Sequence, residues 1–150
     1  MLEDAGHDVL LTRTGDVDNN FLKWRVDKAK DFCADIFVSI HCNGVVDPAA
    51  HGSEVWYFPG SETGELLADC IEQAMVENCH TTNRGIKTND EWTVLEKTIC
   101  PAVLVEMAFI SNPKEREMLT DSFTQRQFAV GVFNGVMKFA QGGPLFGGMT

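Results

Sequence analysis

The chain has 150 residues, 44% of them hydrophobic and 23% charged, which is the size and make-up of one domain with a sizeable core. Twelve Lys and Arg stand against 22 Asp and Glu, a net charge of -10 with no basic run, which argues against a phosphate-backbone partner, and no nucleic acid is expected. No stretch reaches the roughly 20 apolar residues of a membrane span. The acidic start MLEDAGHD has no hydrophobic segment of a signal peptide. Cys33, Cys42, Cys70, Cys79 and Cys100 are odd in number and form no C-x-x-C pair, which favours free thiols over a disulfide framework or a zinc ribbon.

In chain order, residues 8–13, DVLLTR, read as a first strand, with the turn residues TGDVDNN and a helix N-cap behind it. Leu22, Val26, Ala29 and Cys33 then form one stripe of a 3.6-residue period, predicting a helix with Lys23, Asp27, Lys30 and Asp31 largely off the buried side. Residues 36–41, IFVSIH, are apolar on both faces apart from Ser39, as expected of a central strand covered by helices on both sides. A loop, NGVVDPAAHG, leads to a strand over 53–58 and a helix over about 62–78 with Leu66, Ile71, Ala74 and Leu67 facing the core. Asn83-Arg84-Gly85 reads as an interruption before a short segment at Ile86-Lys87.

Residues 101–106, PAVLVE, form a further buried strand, after which Ser111-Asn112-Pro113 predicts a cap with proline at the first helical position. The last helix carries Ala129, Val132, Phe133, Val136 and Ala140, and QGGPLFGGMT at 141–150 reads as a flexible tail behind a domain at 1–140. Strands alternating with helices predict an α/β fold, a twisted and mostly parallel sheet flanked by helices.

In such sheets ligands bind beyond the carboxyl ends of the strands. One strand ends in IHCN, which puts His41 and Asn43 on one side; another ends in LVEMAF, where Glu106 closes an apolar run. A histidine there is compatible with a plain hydrogen bond to a backbone carbonyl. A carboxylate after Ala-Val-Leu-Val needs a cation, a metal or donor groups, because burying it unpaired costs several kcal/mol.

These segments belong to a longer series: LTR at 11–13, Asp16, Arg25, Ala29, ADIFVSIHCN at 34–43, GSEVWYF at 52–58, RGIK at 84–87, VLEKT at 94–98 and PAVLVEMAFISNPKE at 101–115. In this order they resemble the zinc-dependent N-acetylmuramoyl-L-alanine amidases of the AmiC-like type, over nearly the whole chain. The resemblance implies a phosphorylase/hydrolase-like sheet and hydrolysis of the amide between N-acetylmuramic acid and L-alanine in peptidoglycan. It implies one Zn2+ held by two histidines and a glutamate, with His41 matching the last of these ligands and Glu106 the catalytic general acid and base. Asn43 and Arg84 are candidates for holding the substrate or for structural roles. Action would be extracellular or at the cell wall, as an autolysin or endolysin.

The family pattern opens with a strand ending in a D-x-G-H-G-like turn and a helix that supplies the ligand glutamate, whereas residues 1–9, MLEDAGHDV, match the end of that helix. The expectation is therefore an N-terminally truncated domain without two of the three zinc ligands, binding zinc poorly and weakly active or inactive. His51 and His80 read as solvated loop histidines rather than substitutes. Ala108 stands where the family usually has glycine. A non-catalytic peptidoglycan-binding module is the alternative; a cysteine hydrolase is a poor one, because His41 and Cys42 are neighbours in a strand and point to opposite faces.

Overall fold

The computed structural model describes residues 1–15 and 22–142; most of the turn and cap expected at 14–20, from residue 16 on, and the tail beyond 142 lie outside them. The elements are α1 (Leu22–Asp31), β1 (Phe37–Asn43), β2 (Ser53–Tyr57), α2 (Glu62–Cys79), β3 (Asn83–Thr88), α3 (Thr93–Glu96), β4 (Ala102–Phe109), α4 (Pro113–Thr120) and α5 (Ser122–Ala140). A short 3-10 turn at Glu3–Ala5 precedes them. Three helices start where polar caps stand. Ser61 accepts from the Gly64 amide, Asn112 from Lys114 and Glu115 ahead of Pro113, and Asp121 from Thr124.

Residues 8–13 are not a strand, contrary to the apolar pattern. A strand exists only through a partner, and none of the four described strands pairs with this segment, which leaves Leu11 67% exposed. Asn83-Arg84-Gly85 is no interruption either. It opens β3, with Gly85 at φ +77° and a register shift opposite β2 taking up the irregularity.

The sheet order is β1-β4-β2-β3. β1 runs parallel to β4 and β2 parallel to β3, while β2 and β4 are antiparallel. The connection from β1 to β2 over residues 44–52 holds no helix and is shorter than the dozen or more residues of a parallel crossover. β2 therefore returns against the direction of β1, with β4 between them. The expected central position of β1 is corrected: among the described residues it is an edge strand, paired to β4 alone.

Helices α2 and α5 cover one face, where Leu67, Ile71, Met75, Phe128, Val132 and Val136 pack on Val55, Val103 and Val105. Of the expected α2 set Leu67 and Ile71 are fully buried, while Leu66 and Ala74 are only half-buried and Ala68 and Met75 complete the buried side. In α5 the stripe is Phe128, Gly131, Val132, Gly135 and Val136, while Ala129 and Ala140 are exposed. The two glycines let the helices touch: a Cβ at Gly135 would lie 2.4 Å from Ile71 Cα. On the other face Ala29 of α1 and Val94 and Leu95 of α3 pack on Phe37, Ala102 and Leu104. Val26 and Ala29 are the buried part of the α1 stripe; Cys33 lies past the helix end at φ 54°, exposed.

Candidate active site

Register brings three polar side chains side by side. His41 of β1 lies opposite Glu106 of β4, and Glu106 lies opposite Glu54 of β2. Side chains at paired positions share a face. This is the α1/α3 face, because Leu104, two residues before Glu106, belongs to the cluster under those helices. The row therefore sits where that apolar layer ends, at the carboxyl ends of β1 and β4. Two surface concavities, one along α2 and α5 and one near Glu3 and Phe32, include none of these three residues.

Glu54 is 2% exposed yet fully satisfied. Its Oε1 accepts from Asn43 Nδ2 at 2.8 Å and from Trp56 Nε1 at 3.0 Å; its Oε2 accepts from Arg84 Nε at 2.7 Å and from Lys87 Nζ. Burial opposes its ionisation, but the bonds from Lys87 and Arg84, the Lys87 charge and the Trp56 bond prevail and hold the carboxyl below its ordinary pKa. The two residues nominated for substrate binding, Asn43 and Arg84, thus meet on a third residue that sequence reasoning passed over, as it did Lys87. The signal was present: a carboxylate inside the apolar run SEVWY calls for donors by the same argument applied to Glu106.

Glu106 has no such company. Its Oε2 is buried without a hydrogen-bond partner, and burial, reinforced by the Glu54 charge, pushes its pKa up to about 7. His41 Nε2 is 2.8 Å from Ser39 Oγ, two residues back on the same side of β1. Burial, with a smaller contribution from the Arg25 charge, holds the imidazole below its usual pKa, which favours its neutral form. Arg25 reaches this side from α1, and its Nε is itself buried without a partner.

Glu115 of α4 fixes the strand ends that carry the row. Its Oε1 accepts from the Gly52 amide and its Oε2 from the Phe109 amide, both at 2.7 Å, which ties the entry of β2 to the exit of β4. Gly52 adopts φ +106°, and a Cβ there would lie 2.4 Å from the Thr82 carbonyl oxygen.

Among the described residues no three His, Cys, Asp or Glu side chains converge as a metal-holding group. Three or four protein ligands are the rule for zinc, so His41 with its neighbours does not by itself fit the ion. His51 is exposed, with Nδ1 at 2.9 Å from the Ala49 carbonyl oxygen, and His80 is the left-handed C-cap of α2. Burial and the Glu106 charge raise the Cys42 pKa, which disfavours the thiolate a nucleophile would need.

Fold and site together define an α/β domain with an imidazole and two carboxylates in one row across a mixed sheet. A match to the Amidase_3 family, N-acetylmuramoyl-L-alanine amidase, spans residues 1–138, and the chain belongs to that family. An uncharacterized 38.4 kDa protein of Clostridium perfringens is 40% identical over 114 residues, 74% of this chain and 33% of that protein. N-acetylmuramoyl-L-alanine amidase LytC of Bacillus subtilis is 31% identical over 140 residues, 92% of this chain and 28% of LytC. The chain thus spans about a third or less of the length of these two relatives. Among solved structures, the amidase AmiC2 of Nostoc punctiforme superposes with a TM-score of 0.87 at 32% identity, covering 93% of this chain and 76% of AmiC2.

Proposed function

We propose that this domain belongs to a peptidoglycan hydrolase that cleaves the amide between N-acetylmuramic acid and L-alanine. The observation that carries the reading is the His41-Glu106-Glu54 row, with a buried Glu106 carboxyl oxygen left without a partner. An amide is a poor electrophile with a poor leaving group. Glu106 is placed to accept the proton of an attacking water and to return it to the leaving nitrogen, the work of a single general acid and base. Glu54, held ionised by its four donors, keeps the neighbouring strand and its cations in place. Family membership and relatives named as amidases support the reaction class, and the relatives called cell wall amidases support work at the wall.

The test is release of stem peptides from purified peptidoglycan, read as new amino termini. Glu106→Gln is expected to lower the rate by a factor of about 10²–10⁴ while leaving the folded state intact. An undiminished rate in that variant would remove Glu106 from the chemistry.

Zinc enters this reading through His41 alone. We expect calorimetric titration of the chain to show no stoichiometric uptake at sub-micromolar zinc, because one imidazole lacks the further ligands a stable site needs. Tight one-to-one binding would overturn that expectation. The same shortage of ligands among the described residues favours a second reading, a non-catalytic module that binds peptidoglycan. Co-sedimentation with peptidoglycan without peptide release would select it.

A further inference from the structure

The dipeptide Asn-Gly occurs twice in the chain, and the fold treats the two copies differently. Asn43-Gly44 closes β1 and opens the exposed loop to β2, whereas Asn134-Gly135 lies inside α5. Glycine has no Cβ to shield its amide nitrogen, which can therefore attack the carboxamide carbon of the asparagine before it. The attack needs an amide outside the backbone ladders and a near-attack distance. Gly135 is an interior helical residue whose amide donates to the Gly131 carbonyl, and a Cβ there would lie 2.4 Å from Ile71 Cα. Gly44 is exposed, and its amide donates to the Asn43 side chain itself, N to Oδ1 at 2.8 Å. Cγ is one C=O bond of about 1.23 Å from that oxygen, which sets it about 3–4 Å from the nitrogen. The carboxamide is held there from its other end, because Nδ2 donates to Glu54 Oε1 at 2.8 Å. Exposure does not separate the two pairs, since Asn134 is itself exposed. The state of the glycine amide does.

We propose that Asn43 is a site of spontaneous deamidation, through a succinimide closed by the Gly44 amide, and that the product breaks the hydrogen-bond hub on Glu54. In the first step the Gly44 nitrogen gives its proton to water or hydroxide and bonds to Cγ. The Cγ–Nδ2 bond breaks, and Nδ2 leaves as ammonia with a proton from water. Water then opens the ring at either carbonyl and leaves aspartate or isoaspartate at position 43. Both products lose the Nδ2 donor and gain a negative charge next to Glu54, so a hydrogen bond gives way to like-charge repulsion. Isoaspartate also adds a methylene to the main chain where β1 passes into the 44–52 loop, two residues beyond His41. Water is the only co-reactant, so the row ages at a rate set by the chain itself.

The test keeps the full chain at neutral and mildly alkaline pH. Peptide mapping by mass spectrometry follows the exchange of NH2 for OH at each asparagine, and an isoaspartate methyltransferase labels the isoaspartate product. Asn43 is expected to react about tenfold or more faster than Asn134, because α5 must open before Gly135 can attack. Its rate should rise with pH, and in urea that unfolds the chain the two rates should converge. Gly44→Ala should slow Asn43 and leave Asn134 unchanged; the new Cβ would meet Ile110 Cγ2 at 3.6 Å, an ordinary contact that the fold accommodates. Asn43→Asp, which copies one product, should lower the urea midpoint at neutral pH. Equal rates in the folded chain, a gap that persists in urea, aspartate without isoaspartate, or an unaltered rate in Gly44→Ala each overturn the assignment. An unchanged midpoint in Asn43→Asp overturns the effect on the hub.

Discussion

The two faces of the sheet each bury a glutamate, and they treat it in opposite ways. On the α1/α3 face Glu54, 2% exposed, receives four donors from three strands. On the other face Glu72, also 2% exposed, lies in the α2 layer with neither oxygen at hydrogen-bond geometry to a donor. The Gly85 and Arg84 amides approach it and offset only part of the burial, so its pKa rises to about 8. Equal burial therefore yields an ionised hub in one layer and a mostly protonated acid in the other. What decides is the supply of donors, and β3 sends its long cationic side chains to one face only.

Removing the hub is the largest expected perturbation. Glu54→Ala leaves Arg84 and Lys87 without their anion and Asn43 and Trp56 without their acceptor, and is expected to cost about 2–4 kcal/mol in urea unfolding. The figure stays below that of a fully buried pair because both cations are partly exposed. Glu54→Gln keeps an acceptor oxygen and should lose less. A loss under about 0.5 kcal/mol for the alanine variant would show that the network stores little stability, and the contrast between the faces would fall.

Glu72→Gln should act in the other direction. Its carboxyl ionises at about 8 in the folded chain but near 4.3 when unfolded. Between these values the folded chain holds a proton that the unfolded chain has released, so stability falls as pH rises through this window and levels off above it. At pH 7 the glutamine variant, with no proton to hold, should be more stable by about 2–3 kcal/mol. The two proteins should converge near pH 4. A parallel pair of pH-stability curves would mean that Glu72 is satisfied in solution.

His41 and Glu106 were legible in the chain because each ends or interrupts an apolar run, and an apolar run reports strand burial directly. Glu54 carried the same sign, but its partners come from residues 43, 84 and 87, and separations of that length leave no periodicity to read. The direction of β2 was hidden for a related reason. Alternation of strands and helices suggests parallel pairing, while the antiparallel step follows from one helix-free connection. The helix stripes were read in part: Leu67, Ile71, Val132 and Val136 are buried as expected, while the close contact is completed by Gly131 and Gly135, which a hydrophobicity pattern does not score. The strand expected at 8–13 failed on the same ground: apolar content is local, and a strand's partner is not.

The mildest prediction concerns where the apolar face runs out. Ile40 faces the α2/α5 side, opposite Val105, yet is 56% exposed because β1 has no neighbour on its outer edge among the described residues. An edge of this kind offers unpaired backbone groups and apolar side chains to another chain. Ile40→Lys should change stability by no more than about 0.5 kcal/mol, since little buried area is lost. It should nonetheless reduce self-association measured by sedimentation velocity, because a charge on an edge strand opposes pairing between chains. If Ile40→Lys instead unfolds the domain, Ile40 is covered in solution, and the α2/α5 layer extends over β1 as fully as it does over β4.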